Sequence, residues 1–164
     1  MKNVIALFTI AATLYACGGS SNTTSSATAN ETQPQAEATA TESGNPSYDP
    51  NRGEGKFTAE NVSVGASLDA AMAAEGEKVQ GVKCSSCHKL TDEKLVGPGW
   101  KGVTERRKPE WIMNFITNPD PMIDKDPEVQ AQLEICLVRM PNQGLTDQDA
   151  RNVLEFMRKN DGIK

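Results

Sequence analysis

Five consecutive residues, Cys84-Ser85-Ser86-Cys87-His88, constrain this chain more than anything else in it. Two cysteines three positions apart on a helical turn stand about one turn from each other, and the histidine after them adds a ring nitrogen. Three chemistries use such a pattern: a structural zinc site, a redox-active dithiol, and covalent attachment of a c-type haem, for which C-x-x-C-H is the signature. Structural zinc takes four protein ligands. His88 is the only histidine and the other cysteines are Cys17 and Cys136, so a zinc site would need Cys136 or a carboxylate. A thioredoxin-like dithiol sits among strands alternating with helices, and no strand pattern flanks this motif. Haem attachment uses the whole motif: Cys84 and Cys87 reach the two vinyl groups on one porphyrin edge, and His88 lies under the iron.

Upstream, the chain has the form of an exported, tethered protein. Lys2 precedes an uncharged apolar run over residues 4–15, followed by Ala16-Cys17-Gly18-Gly19. This is the form of a secretion signal, and it is too short to cross a bilayer. Leu14-Tyr15-Ala16-Cys17 resembles the bacterial lipoprotein cleavage box, although Tyr15 is bulkier than that box usually carries. The resemblance implies removal of residues 1–16 and lipidation of Cys17. Ordinary signal cleavage, leaving a soluble protein with a spare Cys17 thiol, is the other outcome. Lipidation would give that cysteine a role in an oxidising compartment, and several acyl chains anchor firmly where one binds marginally. Residues 18–44 are mostly Ser, Thr, Ala, Asn, Gln and Glu and hold too little apolar surface to offset chain entropy. Residues 17–66 therefore read as a flexible linker, with a random-coil span of about 40 Å. Tyr48, Phe57, Val62 and Val64 leave room for part of residues 45–66 to lie against the folded domain.

Residues 67–164 read as an all-α domain of about four helices. The first has Ser67 as its expected N-cap and Leu68, Ala71, Met72, Val79 and Val82 at helical spacing. Gly76 interrupts it at a cost of up to about 1 kcal/mol relative to alanine, which points to close approach by another group. The second opens on Pro109, carries Trp111, Ile112, Phe115 and Ile116, and stops ahead of Pro119. The third starts at Asp126-Pro127 with Val129, Leu133, Cys136 and Leu137 on one face; Cys136 is expected to pack as a small hydrophobe. The last follows the capping box Thr146-Asp147-Gln148-Asp149 and turns Ala150, Val153, Leu154 and Met157 inward, with Phe156 beside them.

Three motifs spread over this domain, C-S-S-C-H at 84–88, V-G-P-G-W at 96–100 and R-M-P at 139–141, resemble those of a monohaem class I cytochrome c. The resemblance implies one haem c held through Cys84 and Cys87, with His88 and Met140 as axial iron ligands. It implies that the Pro98 carbonyl accepts the second ring N–H of His88, which orients the imidazole and raises its basicity. Gly76 would lie where the first and last helices cross, beside Phe156. Trp100, Arg106 and Arg107 are alternative partners for the haem propionates, arginine being suited to carboxylates. Gln80 departs from the family, which usually carries an aromatic four residues before the first cysteine. Met122, in Pro121-Met122-Ile123, competes with Met140; Met72, Met113 and Met157 read as core.

An iron filled on both sides has no open position for substrate. The implied function is a one-electron carrier of a bacterial respiratory chain rather than an enzyme, with transient redox-protein partners. The domain is also similar to small lipoprotein cytochromes associated with nitrous oxide reductase and related reductases. The alternatives are a fixed haem subunit of a larger complex, or a sensory or catalytic haem protein whose sixth ligand can leave. The chain carries a net charge of −5, yet residues 83–108 are net basic and 110–136 net acidic. Such segregation can steer docking of protein partners, a solvated dipole with no docking role being the other reading, and it gives no reason to expect nucleic acid. The expected location is the periplasm, at a membrane reached through Cys17. Mass spectrometry of the mature protein tests both covalent expectations: one haem adduct together with acyl groups on an N-terminal Cys17 is the expected result, and a haem adduct without acyl groups would mean a free, unanchored protein.

Overall fold

Proline, acid caps and one glycine set most of the helix boundaries. The computed structural model describes residues 47–164; the signal segment, Cys17 and most of the expected linker lie outside the described residues. Six helices follow one another: α1 Ala70–Lys83, α2 Val103–Arg106, α3 Pro109–Thr117, α4 Pro119–Ile123, α5 Pro127–Cys136 and α6 Asp147–Asn160. No strand occurs among the described residues, only an isolated bridge between His88 and Lys94. No helix among them is long and apolar enough to cross a membrane.

α6 opens where expected. Thr146 Oγ1 accepts from the Asp149 amide at 3.1 Å and Asp149 Oδ2 accepts from the Thr146 amide at 3.1 Å, a reciprocal capping box. α5 is capped by Asp126, whose Oδ1 accepts from the Glu128 and Val129 amides at 2.9 and 3.1 Å. Two helices were not anticipated. After α3, Pro119 keeps Asn118 out of the helical region, at φ −153° and ψ 79°, and then serves as the first residue of α4. Met122 thus lies on a helix, fully buried, rather than in a loop. α2 is a single turn, too short to show a period. It is held from outside, by Asp161 accepting from the Gly102 amide at 2.6 Å, the Thr104 amide at 2.9 Å and Thr104 Oγ1 at 2.7 Å.

α1 differs from the sequence expectation in its start and its face. Asp69, not Ser67, is the N-cap, accepting from the Met72 amide at 2.9 Å. The buried positions are Ala73, Gly76 and Gln80, whereas Ala71 is exposed and Val82 is 85% exposed. The reason is the crossing with α6. A Cβ on Gly76 would sit 2.0 Å from the Asn152 carbonyl oxygen and 2.9 Å from Phe156 Cβ, so no side chain fits at that position. Backbone proximity, not apolar periodicity, sets the face.

The stretch expected as the end of the linker belongs partly to the core. Phe57 and Val62 are buried. Buried Asn114 of α3 accepts from the Phe57 amide at 2.9 Å and donates to the Arg52 and Phe57 carbonyls at 3.0 and 2.9 Å. Tyr48 donates its hydroxyl to Asp126 at 2.6 Å. Farther along, Glu155, only 1% exposed, takes Arg158 at 2.7 Å and Arg151 at 2.7 Å. The same arginines donate to the carbonyls of Gly65 and Ser63. Replacing Gly76 by alanine should lower stability by about 1–3 kcal/mol, the usual cost of forcing a methyl group into a closed contact. The check is the urea midpoint of the haem-loaded protein, expected to fall with the slope unchanged.

Candidate functional site

α1 runs directly into the pentapeptide. The amides of Cys84 and Ser85 donate to the Gln80 carbonyl at 2.9 and 3.0 Å, and the Cys84 carbonyl accepts from Cys87 and His88 at 3.0 and 2.9 Å. One continuous turn therefore holds both sulfurs and the imidazole. No disulfide joins Cys84, Cys87 or Cys136 among the described residues. Burial pushes the Cys84 thiol up to about 11, with Lys83 opposing. A redox dithiol depends on a depressed thiol and a ready thiolate, so this environment disfavours that chemistry. Among the described residues no three His, Cys, Asp or Glu side chains converge as a metal cage would require. Neither rival to haem attachment is supported by its surroundings.

His88 is held from behind. Its Nδ1 lies 2.8 Å from the Pro98 carbonyl oxygen. A carbonyl can only accept, so Nδ1 carries the proton and Nε2 keeps its lone pair. Burial holds His88 below the ordinary imidazole range, against the opposing effect of the Pro98 bond, and the ring is neutral and fit to bind a metal. The loop behind it is closed by the Val96 and Gly97 amides donating to the Cys87 carbonyl at 3.2 and 2.8 Å, and by the Trp100 amide donating to Lys89 at 2.9 Å. No side chain fits at Gly97, where a Cβ would meet His88 Cε1 at 2.4 Å. Buried Trp100 lies with its ring centroid 5.8 Å from that of His88.

The methionines sort by environment. Met113, Met122 and Met157 are buried in the core, and Met72 is half-buried on α1. Met122 abuts the N-terminal segment: a Cβ on Gly53 would lie 2.9 Å from its sulfur. Met140 alone among the described methionines stands outside a helix, half-buried in the segment between α5 and α6.

A second feature concerns apolar side chains left in solvent. Val82, Leu90, Leu95, Val96, Ile135, Leu137 and Val138 are all exposed, and they fall in the two stretches that flank the pentapeptide and Met140. These stretches are tied together. Lys94 donates to the Ile135 carbonyl at 3.0 Å and Lys83 to the Gln143 carbonyl at 2.8 Å. Two thiols, a neutral imidazole, a loop thioether and apolar rims make a donor set that fits a haem. Sequence inspection passed over Lys83 and Lys94, since a lysine seeking a distant carbonyl leaves no pattern. Of the residues proposed for the propionates, Arg107 is paired with Glu128 and lies 4.3 Å over the Trp111 ring, while Arg106 donates to the Lys101 carbonyl at 3.0 Å. These contacts commit Arg107 to α3 and α5.

Comparison with known proteins agrees with this chemistry. Residues 73–161 match the family model for cytochrome c, over half of the chain, and the chain belongs to the cytochrome c family. A cytochrome c from Rhodothermus marinus is similar in structure, with a TM-score of 0.60 and 36% identity, covering 63% of this chain and 89% of that one. An engineered form of that protein gives a TM-score of 0.59 at 35% identity, covering 63% and 90%. The same engineered form, solved bound to a carbene intermediate, gives 0.56 at 35% identity, covering 63% and 89%. No curated protein sequence matches the chain. The fold is that of a monohaem class I cytochrome c, which carries haem c covalently and works as an electron carrier with other redox proteins.

Gly97→Ala should displace the His88 ring and lower the yield of low-spin haem-loaded protein, read from the visible spectrum. Gly81→Ala, where a new Cβ meets nothing within 4 Å, should leave that spectrum unchanged.

Proposed function

We propose that this chain is a membrane-tethered one-electron carrier of a bacterial respiratory chain. Cys84 and Cys87 would hold a haem through two thioether links, and His88 and Met140 would bind its iron. The observation that carries this is the pairing of His88, its Nδ1 engaged by Pro98 and its Nε2 free, with Met140, the one described methionine outside a helix. Haem, when bound, supplies a reversible one-electron iron couple whose potential a methionine ligand raises. The chain does the rest. Pro98 fixes the imidazole, Leu95, Val96, Ile135 and Val138 keep water away, and two protein ligands leave no position for substrate. The protein is on this ground a carrier and not an enzyme.

The lipoprotein-like stretch Leu14-Tyr15-Ala16-Cys17 and the polar stretch after it support attachment, through a lipidated Cys17, to the cell-envelope membrane on the periplasmic side. The net basic stretch around the pentapeptide supports weak, fast docking with a reductase or oxidase; nitrous oxide reductase is a candidate. A displaceable sixth ligand is the competing arrangement, favoured by the engineered relative solved with a carbene. Carbon monoxide separates the two. The reduced native protein is expected to bind none on mixing and Met140→Ala to bind it at once; immediate stoichiometric binding by the native protein would overturn the carrier assignment.

A further inference from the structure

The segment that carries Met140, residues 137–146, has no regular secondary structure. Its order comes from side chains. Arg139 spreads its guanidinium over two carboxylates, Nη1 on Oδ1 of Asp124, the C-cap of α4, at 3.1 Å and Nη2 on Oδ1 of Asp120, within α4, at 3.1 Å. Asn142 donates to the Thr117 carbonyl at 3.0 Å and accepts from the Gly144 amide at 2.8 Å, and Lys83 holds the Gln143 carbonyl. Arg139 is the only charged residue between positions 137 and 146.

α4 is a firm post for such a clasp. Between Asp120 and Asp124 it buries Met122 and Ile123, which are 0% and 3% exposed. Its two carboxylates stand one turn apart, where like charges repel, and the single guanidinium answers both. On the other side of Met140, Pro141 restricts the backbone of the residue before it to extended conformations. Met140 is thus fixed by its two sequence neighbours, one through charge and one through ring sterics.

We infer that Arg139 is the positioning residue for Met140: by straddling Asp120 and Asp124 it holds the loop in place and sets how rarely the thioether leaves the iron. The inference rests on Met140 being the axial ligand. The arginine is 48% exposed and both aspartates are 66% exposed, so the contact adds little to global stability. Its effect belongs to the loop. A disengaged Met140 opens the sixth position, and a small ligand can then enter at a rate set by loop opening.

The experiment uses the haem-loaded ferric protein and imidazole, followed by visible absorption. Arg139→Gln should take up imidazole about fivefold faster than the native protein, consistent with the loss of a pair of exposed ionic contacts, with its urea midpoint barely moved. Asp120→Asn combined with Asp124→Asn should reproduce the change, and adding Arg139→Gln to that pair should give no further increase, as expected of groups acting through one contact. Arg139→Lys should recover part of the native rate. Lys159→Gln, which removes an exposed cation paired with Glu77, should leave the rate unchanged. Equal rates for Arg139→Gln and the native protein, with Met140→Ala fast, would overturn the clasp while leaving the ligand assignment intact. Native protein reacting as fast as Met140→Ala would instead overturn the ligand assignment beneath it. A rise with Lys159→Gln as large as that with Arg139→Gln would also overturn the clasp.

Discussion

The close crossing of α1 and α6 at Gly76 governs where everything functional lies. With no side chain at Gly76, the backbone of α1 rests almost against the Asn152 carbonyl, and α1 then ends at Cys84 in a fixed place. α6 acts as a ruler along the same line. Near its C-terminal end Asn160 donates to the Leu90 carbonyl at 3.0 Å and Asp161 collects the amides of Gly102 and Thr104, which fixes the loop behind His88. At its other end the capping box of Thr146 and Asp149 terminates the segment that carries Met140. One helix therefore bears on both the loop behind His88 and the segment that carries Met140.

Buried polar groups hold the remaining elements to this frame. Asp126, fully buried, accepts from the Tyr48 hydroxyl, the Trp111 indole and two α5 amides. Burial and the Asp126 carboxylate raise the Tyr48 phenol, which keeps it a proton donor to that site. Glu155 sits among two arginines that reach back to the segment before α1. Buried charges are tolerable when paired and hydrogen-bonded, and here the pairing joins N-terminal chain to C-terminal helix. The helices are thereby braced by residues that no haem-binding motif includes.

The two sides of the haem site are built differently. On the His88 side, backbone hydrogen bonds and two glycines pack the loop so closely that a methyl group has no place. On the Met140 side, side-chain contacts to α1, α3 and α4 hold an irregular segment. The loop behind His88 is thus held by backbone contacts, and the segment that carries Met140 by side chains reaching across to other elements.

Much of this was legible in the chain itself, because it rests on local chemistry. C-S-S-C-H, the glycine-proline turn behind it, Pro109, the Asp126-Pro127 start and the capping box at Thr146 act over a few residues and appear as spacing. The tertiary structure alone decided the inward face of α1, the burial of Met122 on α4, the pairing of Arg107 with Glu128, and the packing of Phe57 and Val62 against the domain. Each of these depends on a partner far off in sequence, whether a backbone carbonyl, a single carboxylate or one asparagine amide. Contacts of that kind leave no periodicity, so only the folded chain reveals them.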